Sequence, residues 1–324
     1  MDGPAPMDRR TFLNRTLAAT GALAAGGEAA GTPAAAPAQD DTAMPYGMIG
    51  KARISRLLLG GNLISGCMHA RDLKYVDGLF RAYATEPKML ETLRLAESLG
   101  INTVFETGAS FIEKYNRTMG GHMQFIPHIQ VDPNPDEAKL KDHIKKQVDT
   151  GAVALYVWGV SGDRLVRANA VHRLAQAVEF AKVHGLPVGV GGHSLLVPME
   201  CEKAGIPCDF YVKTLHRDDY FSATPKPLRK EFIWATGGEG WHDNMWCINP
   251  EETIEFMKTV KKPWIAFKVL AAGAYLPREG FDYAFRNGAD FAAVGMLDFQ
   301  LKADCEALRE IVRRHKERAR PWRA

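Results

Sequence analysis

Residues 264–296, WIAFKVLAAGAYLPREGFDYAFRNGADFAAVGM, contain two short apolar runs, WIAFKVLAAG and FAAVGM, with a longer mixed stretch between them. Short apolar runs that alternate with amphipathic stretches are typical of parallel β/α units. Six earlier runs follow the same pattern: ISRLLLGG, NTVFETG, QFIPHIQVDP, VALYVWG, LPVGVGGHS and DFYVKTLH. Eight such units in roughly 270 residues predict an α/β fold of the (β/α)8 TIM-barrel type. No GxGxxG motif follows the first run, which argues against a Rossmann fold.

The composition is that of an ordinary globular protein. The chain has 324 residues, of which 46% are hydrophobic and 24% are charged, and its formal net charge is +3. This charge is too small to indicate a nucleic-acid partner, and no basic stripe interleaved with aromatic residues is present. We therefore expect a small-molecule substrate and no nucleic acid.

The amino-terminal segment is typical of a Tat export signal. Arg9 and Arg10 are followed by Phe12 and Leu13, and then by a weakly apolar run rich in Ala and Gly. The run is too short, and has too few large side chains, to form a stable membrane anchor. We expect cleavage after Ala38, the Tat translocase as the partner during export, and a periplasmic location.

The predicted organisation has three parts. Residues 1–38 form the signal peptide, residues 39–52 a linker and the start of an amino-terminal hairpin, and residues 53–324 a single barrel domain. Exported proteins can form disulfides, but the cysteines are odd in number and include no CxxC pair. We expect most to be free, with at most one or two bridges among Cys67, Cys201, Cys208, Cys247 and Cys305.

The carboxyl ends of the strands in a TIM barrel meet in one mouth, where the chemistry lies. Lys213, inside the sixth run, is predicted to face this mouth as a base or charge anchor, with His216 at the strand tip as a ligand or acid. Residues 217–250 predict a long loop after strand six that covers the mouth. The aromatic side chains suited to stacking on a substrate are Trp158 at the end of the fourth run and Trp234, Trp241 and Trp246 in that loop.

Four stretches of the chain resemble the aldo/keto reductases. They are MPYGMIGKARISRLLLGGN and LGINTVFETG near the start, and IAFKVLAAG and YAFRNGADFAAVGM near the end. In order, they are similar to the opening hairpin with the first strand, the second strand, and the last two strands of that family. The likeness covers residues 44–310. It implies the barrel of that family and NADPH as a hydride donor.

The resemblance also implies an Asp, a Tyr, a Lys and a His at the mouth. Carried over one at a time, these positions fall on Glu106, Phe111, His128 and Trp158. Only Glu106 keeps similar chemistry, and Phe111 has no hydroxyl with which to protonate a developing alkoxide. The resemblance therefore favours the fold and disfavours the usual reaction of the family.

The cofactor side of the resemblance is altered as well. The Ser-Asn pair that follows strand five in the family falls on His193 and Ser194. If an NADP site is retained, the resemblance places its contacts at Ser194, Lys268 and Gly295.

The residues that replace the family's pattern suggest a metal site. Glu106, His128, His193 and His216 follow strands two, three, five and six, whose ends converge on the mouth. Two or three imidazoles and a carboxylate form a ligand set for Zn²⁺ or a similar divalent metal. No compact HxxH spacing is present, so this prediction depends on the barrel topology.

Three functions remain open on the sequence. The preferred one is an exported, non-redox, metal-assisted isomerase, lyase or hydrolase for a small carbohydrate-like or carbonyl substrate. Its catalytic residues would be Glu106, His128, Lys213 and His216. The alternative is a divergent NADP-dependent oxidoreductase that uses Glu106, His128 and Lys213, and the third is a non-catalytic ligand-binding barrel.

Overall fold

The computed structural model describes residues 43–69, 73–134, 136–229 and 245–324. The predicted signal peptide lies outside these residues, so export stays a prediction. Within them, no helix combines the length and the apolar character needed to cross a bilayer.

The chain enters the barrel through an antiparallel hairpin. Strand β1 (Tyr46–Ile49) pairs with β2 (Ala52–Ser55) across a turn in which Gly50 has a φ of 59°. Glycine suits this turn because a left-handed backbone strains other residues. Ile49 and Ile54 from the hairpin are buried with the side chains of the barrel interior. The hairpin therefore closes the amino-terminal end of the barrel.

Eight parallel strands form a closed barrel, with β3 next to β10. This confirms the predicted TIM-barrel fold, because each predicted run contains one strand. The strands are β3 (Leu57–Gly60), β4 (Thr103–Glu106), β5 (Gln124–Ile129), β6 (Leu155–Val157), β7 (Val188–Gly192), β8 (Phe210–Thr214), β9 (Trp264–Phe267) and β10 (Phe291–Val294).

Helices follow the strands and cover the barrel. Those in the described residues are α1 (Gly61–Ile64), α2 (Lys74–Tyr83), α3 (Glu86–Ser98), α4 (Ala109–Met119), α5 (Glu137–Val148), α6 (Gly159–Arg167), α7 (Val171–Lys182), α8 (Leu196–Lys203), α9 (Pro250–Thr259), α10 (Pro277–Arg286) and α11 (Asp298–Arg314). The long connection predicted after strand six lies between β8 and α9. Its described residues contain a single 3₁₀ turn, Lys226–Leu228.

Side chains alternate between the barrel interior and the helix layer, as the two-residue period of a strand requires. On β8, Phe210 and Val212 lie in the interior cluster and Tyr211 lies in the outer one. The neighbouring strand β7 leaves room for Phe210, because a Cβ at Gly189 would lie 2.4 Å from its ring. Glycine at this position is therefore a packing requirement of the interior.

A buried ionic cluster fastens the carboxyl-terminal segment to the amino-terminal end of the barrel. Asp290, just before β10, is fully buried and accepts hydrogen bonds from Arg318 at 3.0 Å, Arg320 at 2.7 Å and the Trp264 amide at 2.9 Å. Arg320 also donates to the carbonyl oxygen of Met257, near the end of α9. Arg320 is paired with Asp290 and satisfies a carbonyl near the end of a helix. These contacts offset the free-energy cost of burying the two charges.

Candidate active site

A cavity of about 330 Å³ opens at the mouth, the carboxyl-terminal end of the barrel. Its floor and much of its wall are apolar. Phe105 and Phe267 come from the strand ends, and Trp246 comes from the part of the β8–α9 connection that returns to the barrel, here called the returning loop. The polar side chains that border it include Asn62, His69, Glu106, Lys268 and Gln300. A mainly apolar cleft with a few convergent polar groups is the usual form of a small-molecule site.

Glu106 ends β4 and contributes a carboxylate to the cavity. Its φ is 82°, in the left-handed region that a non-glycine residue occupies only at an energetic cost. The Trp158 indole Nε1–H donates to its Oε1 at 3.0 Å. Among the described residues, none donates to Oε2, so this oxygen can face a ligand.

His128 lies beside Glu106 and contacts its backbone. Its Nδ1–H donates to the backbone oxygen of Glu106 at 3.2 Å, and its Nε2 accepts from the amide of Gln130 at 3.3 Å. The imidazole stacks on Trp158, with ring centroids 5.2 Å apart. Burial lowers the pKa of His128, so the ring is neutral and holds both Glu106 and Trp158 in place.

Lys268 supplies the positive charge at the cavity. Its Nζ lies 2.8 Å from His69 Nε2 and 3.8 Å from the centre of the Trp246 ring. The ammonium therefore combines a charge-assisted hydrogen bond with a cation–π contact. Its φ is 57°, also in the left-handed region. In the described part of the chain, Glu106 and Lys268 are the charged residues with this backbone conformation, and both border the same cavity.

A buried histidine–aspartate pair, His193 and Asp163, lies next to Trp246. His193 Nδ1–H donates to Asp163 Oδ2 at 2.7 Å, and the amides of His193 and Ser194 donate to Oδ1, each at 2.9 Å. Burial lowers the pKa of His193 in spite of Asp163. The Ser194 hydroxyl accepts from the Leu196 amide at 3.0 Å, at the start of α8. The His193 ring lies 5.5 Å from that of Trp246.

Asp163 escaped the sequence analysis because it is not at a strand end. It lies inside α6 with 2% of its surface exposed. No local signal marked it, because the stretch VSGDRLV mixes apolar, small and charged residues as an ordinary helix does.

His216 holds the backbone of the returning loop. Its Nε2 accepts from the amides of Trp246 at 3.0 Å and Cys247 at 2.8 Å, and its Nδ1–H donates to the Arg217 carbonyl at 2.6 Å. Burial lowers the pKa of His216 from 6.5 to about 4, so the ring is neutral. Backbone groups occupy both ring nitrogens, so the predicted roles as metal ligand and acid are wrong.

Lys213 does not face the mouth. Because Tyr211 points to the helix layer, the alternation along β8 places Lys213 on that same side. Only 1% of its surface is exposed, and its Nζ donates to the carbonyl oxygen and hydroxyl of Thr214 at 3.0 and 2.9 Å. Nζ also lies 3.8 Å from Cys247 Sγ. The prediction that Lys213 faces the mouth is wrong, and we assign it no part in the chemistry proposed below.

The predicted metal ligands do not form one site in the described part of the chain. There, no three His, Cys, Asp or Glu side chains are grouped in a way that could hold a metal ion. The physical reason is that His216 and His193 already direct ring nitrogens at protein partners, the loop amides and Asp163.

The remaining predicted residues divide by position. Trp246 and Gly295 line the cavity, whereas Trp234 and Trp241 lie outside the described residues. Phe111, which occupies the family's Tyr position, packs against the hydrophobic core. The five cysteines, expected to be mostly free, are all free, and Cys67 is the exposed one.

Comparison with known proteins supports the fold. No family model and no curated protein matches the chain. Two solved structures of Pseudomonas aeruginosa proteins, each described as a "putative aldo-keto reductase", share its fold. The first has 16% sequence identity and a TM-score of 0.55, covering 83% of this chain and 94% of that one. The second has 15% identity and a TM-score of 0.53, covering 82% and 95%. At these identities the likeness shows the barrel fold alone.

Proposed function

We propose that the chain is a barrel enzyme that transfers a proton on a small carbonyl compound bound at the mouth, without a redox step. The observation that carries this proposal is the placement of Glu106 and Lys268. These two charged residues have strained backbones and border one apolar cavity. Backbone strain persists where the surrounding structure fixes it, and it clusters at functional sites.

Each residue has a chemical role. Glu106 Oε2 removes a proton from the carbon next to a carbonyl group, and the C–H electrons move to the carbonyl oxygen. The Lys268 ammonium stabilises the enolate oxygen that forms, in a setting where few water molecules screen its charge. Return of the proton to another carbon completes an isomerisation, and loss of a neighbouring leaving group completes an elimination.

Trp158 and His128 position the base. The Trp158 indole fixes one carboxylate oxygen, which leaves the other for the substrate. His128 is neutral and donates to the Glu106 backbone, so it adds orientation without adding charge. Fixed geometry of this kind lowers the entropy cost of reaching the reactive arrangement.

We propose further that the enzyme is exported folded through the Tat translocase and acts in the periplasm. The support is the pair Arg9 and Arg10 with the Phe-Leu that follows. The Trp234 and Trp241 side chains stay candidate substrate contacts on sequence grounds.

A second candidate is an NADP-dependent oxidoreductase. Gly295 at the end of β10 lines the cavity, where the resemblance places a cofactor contact. The packing of Phe111 against the core counts against the usual mechanism, because no hydroxyl is supplied from that position.

The test is proton exchange measured by NMR in deuterated water, with a panel of small ketones and oxo acids. We expect the full chain to catalyse exchange at the carbon next to the carbonyl, and E106Q to lose at least 100-fold of that rate. The control is E113Q, an exposed residue on α4, which should keep the wild-type rate. Exchange that persists in E106Q would refute the proposal. Oxidation of added NADPH without exchange would establish the second candidate instead.

A further inference from the structure

We infer that the ligand of the mouth is a small carboxylate with one negative charge and a flat apolar body. This inference concerns the same cavity and therefore rests on the proposed function. It goes further by naming the chemical class of the substrate, and it replaces the expectation of a carbohydrate-like one.

The body of the ligand is set by the floor of the cavity. Phe105 and Phe267 come from the interior cluster, and Trp246 forms a wall with 1% of its surface exposed. Phe105 is itself fixed by stacking on Tyr156, with centroids 4.8 Å apart. Rigid aromatic surfaces favour a flat apolar group. A sugar would bring several hydroxyls into this mainly apolar cavity, and each hydroxyl removed from water without a partner is costly.

Among the described residues, two charged groups border the cavity, and the charge of the ligand is inferred from them. Lys268 offers one ammonium, held by His69 Nε2 on one side and by the Trp246 ring on another. Glu106 contributes one negative charge elsewhere on the same lining and would repel a second negative charge. No arginine borders the cavity among the described residues, and arginine is the side chain that best matches a phosphate. A carboxylate is thus a better match than a phosphate.

A third group, Asn62, adds a hydrogen-bond donor to the lining of the cavity. Asn62 Oδ1 accepts from the Thr107 hydroxyl at 3.3 Å, and among the described residues none accepts from its side-chain N–H groups, which can therefore donate to a ligand. If the carboxylate of an oxo acid binds Lys268, the neighbouring oxo group lies near the same ammonium. The C–H carbon next to the oxo group then lies toward Glu106. The substrate class is therefore an aryl- or alkyl-substituted oxo acid.

The test compares three unreactive probes by calorimetry on the full chain: 3-phenylpropionate, its neutral isostere 3-phenylpropanamide, and glucose. We expect the carboxylate to bind the wild type at least ten times more tightly than the amide, and glucose not to bind. K268M should lower carboxylate affinity at least ten-fold, to the level of the amide. The matched control K302M removes an exposed lysine of α11 and should change nothing.

Any one of four results would overturn the inference. They are equal affinity for the carboxylate and the amide, wild-type affinity of K268M for the carboxylate, preferential binding of glucose, and no binding of either phenyl probe. E106Q separates it from the proposed function, because this variant should bind the carboxylate as well as or better than the wild type. If E106Q abolishes exchange but carboxylate binding is absent, the ligand class is wrong and the proton transfer stands. If the carboxylate binds through Lys268 but E106Q keeps exchange, the ligand class stands and the assigned base is wrong.

Discussion

Lowering the pH should reduce the free energy of unfolding, because His216 loses its hydrogen bonds to the returning loop when it is protonated. The size of this loss follows from the pKa of His216. The neutral ring accepts two backbone hydrogen bonds at Nε2, from Trp246 and Cys247, and protonation would remove that acceptor. Burial lowers the pKa of His216 from 6.5 to about 4. A histidine whose pKa is lower in the folded state contributes stability that is complete above pH 6.5 and is lost as the pH falls toward 4.

Linkage between these two pKa values gives a loss of about 2.5 kcal/mol in the free energy of unfolding between pH 7.5 and 4.5. H216Q isolates this contribution, because the Gln oxygen can accept one amide hydrogen bond and does not titrate. We expect H216Q to be less stable than the wild type by about 1–2 kcal/mol at pH 7.5, since one buried amide loses its partner. Its stability should then fall by about 2.5 kcal/mol less than that of the wild type on going to pH 4.5.

Urea denaturation at pH 7.5, 6.5, 5.5 and 4.5, followed by tryptophan fluorescence, measures both quantities. H184Q is the matched control, because His184 is exposed at the end of α7 and should change neither quantity. If the wild type and H216Q lose the same stability over this range, His216 is not the buried neutral acceptor that its contacts indicate.

Three further substitutions test other parts of the molecule. Burial raises the pKa of Asp304 from 3.8 to about 6, so its ionisation costs stability as the pH rises through that range. D304N should therefore add about 2 kcal/mol to the free energy of unfolding at pH 7.5 and little at pH 4, by urea denaturation, and equal effects at both would contradict the burial argument. W158F keeps an aromatic ring and removes the donor to Glu106, and it should lower kcat for proton exchange about ten-fold with little change in KM. A pure KM effect would argue against a positioning role. R320M should reduce the free energy of unfolding by about 3–5 kcal/mol, because it removes one of the two arginines paired with the buried Asp290 and leaves the backbone carbonyls that Arg320 satisfies without that donor. The exposed control R286M should change it by less than about 1 kcal/mol, and similar losses in both would show that the buried cluster has no special weight.

The fold could be predicted from the sequence because hydrophobic runs and their spacing determine the strands. Each predicted run contains one strand, and the runs around Leu57–Gly60 and Phe291–Val294 close the barrel as neighbours. Closure needs only the order and number of the units, and both are visible in the pattern.

The direction of a side chain could not be predicted in the same way. Strands of a parallel barrel are buried on both faces, so β8 has no exposed side that would show which face Lys213 occupies. The roles of His216 and Asp163 depend on partners distant along the chain, such as the Trp246 amide, and no local pattern reveals them. Glu106 was a candidate because it ends a strand and Lys268 because the resemblance placed a cofactor contact there, and their left-handed backbones were not visible in the sequence.

The cluster around Asp290 has a consequence for how this chain could be altered in the laboratory. It ties Arg318 and Arg320 to the amino-terminal end of the strands, whereas Glu106 and Lys268 are at the opposite end. Substitutions at sites that share no partners have nearly additive effects. A library of variants randomised around the cavity should therefore retain its folding yield, which makes this barrel a suitable starting scaffold for directed evolution of new catalysts.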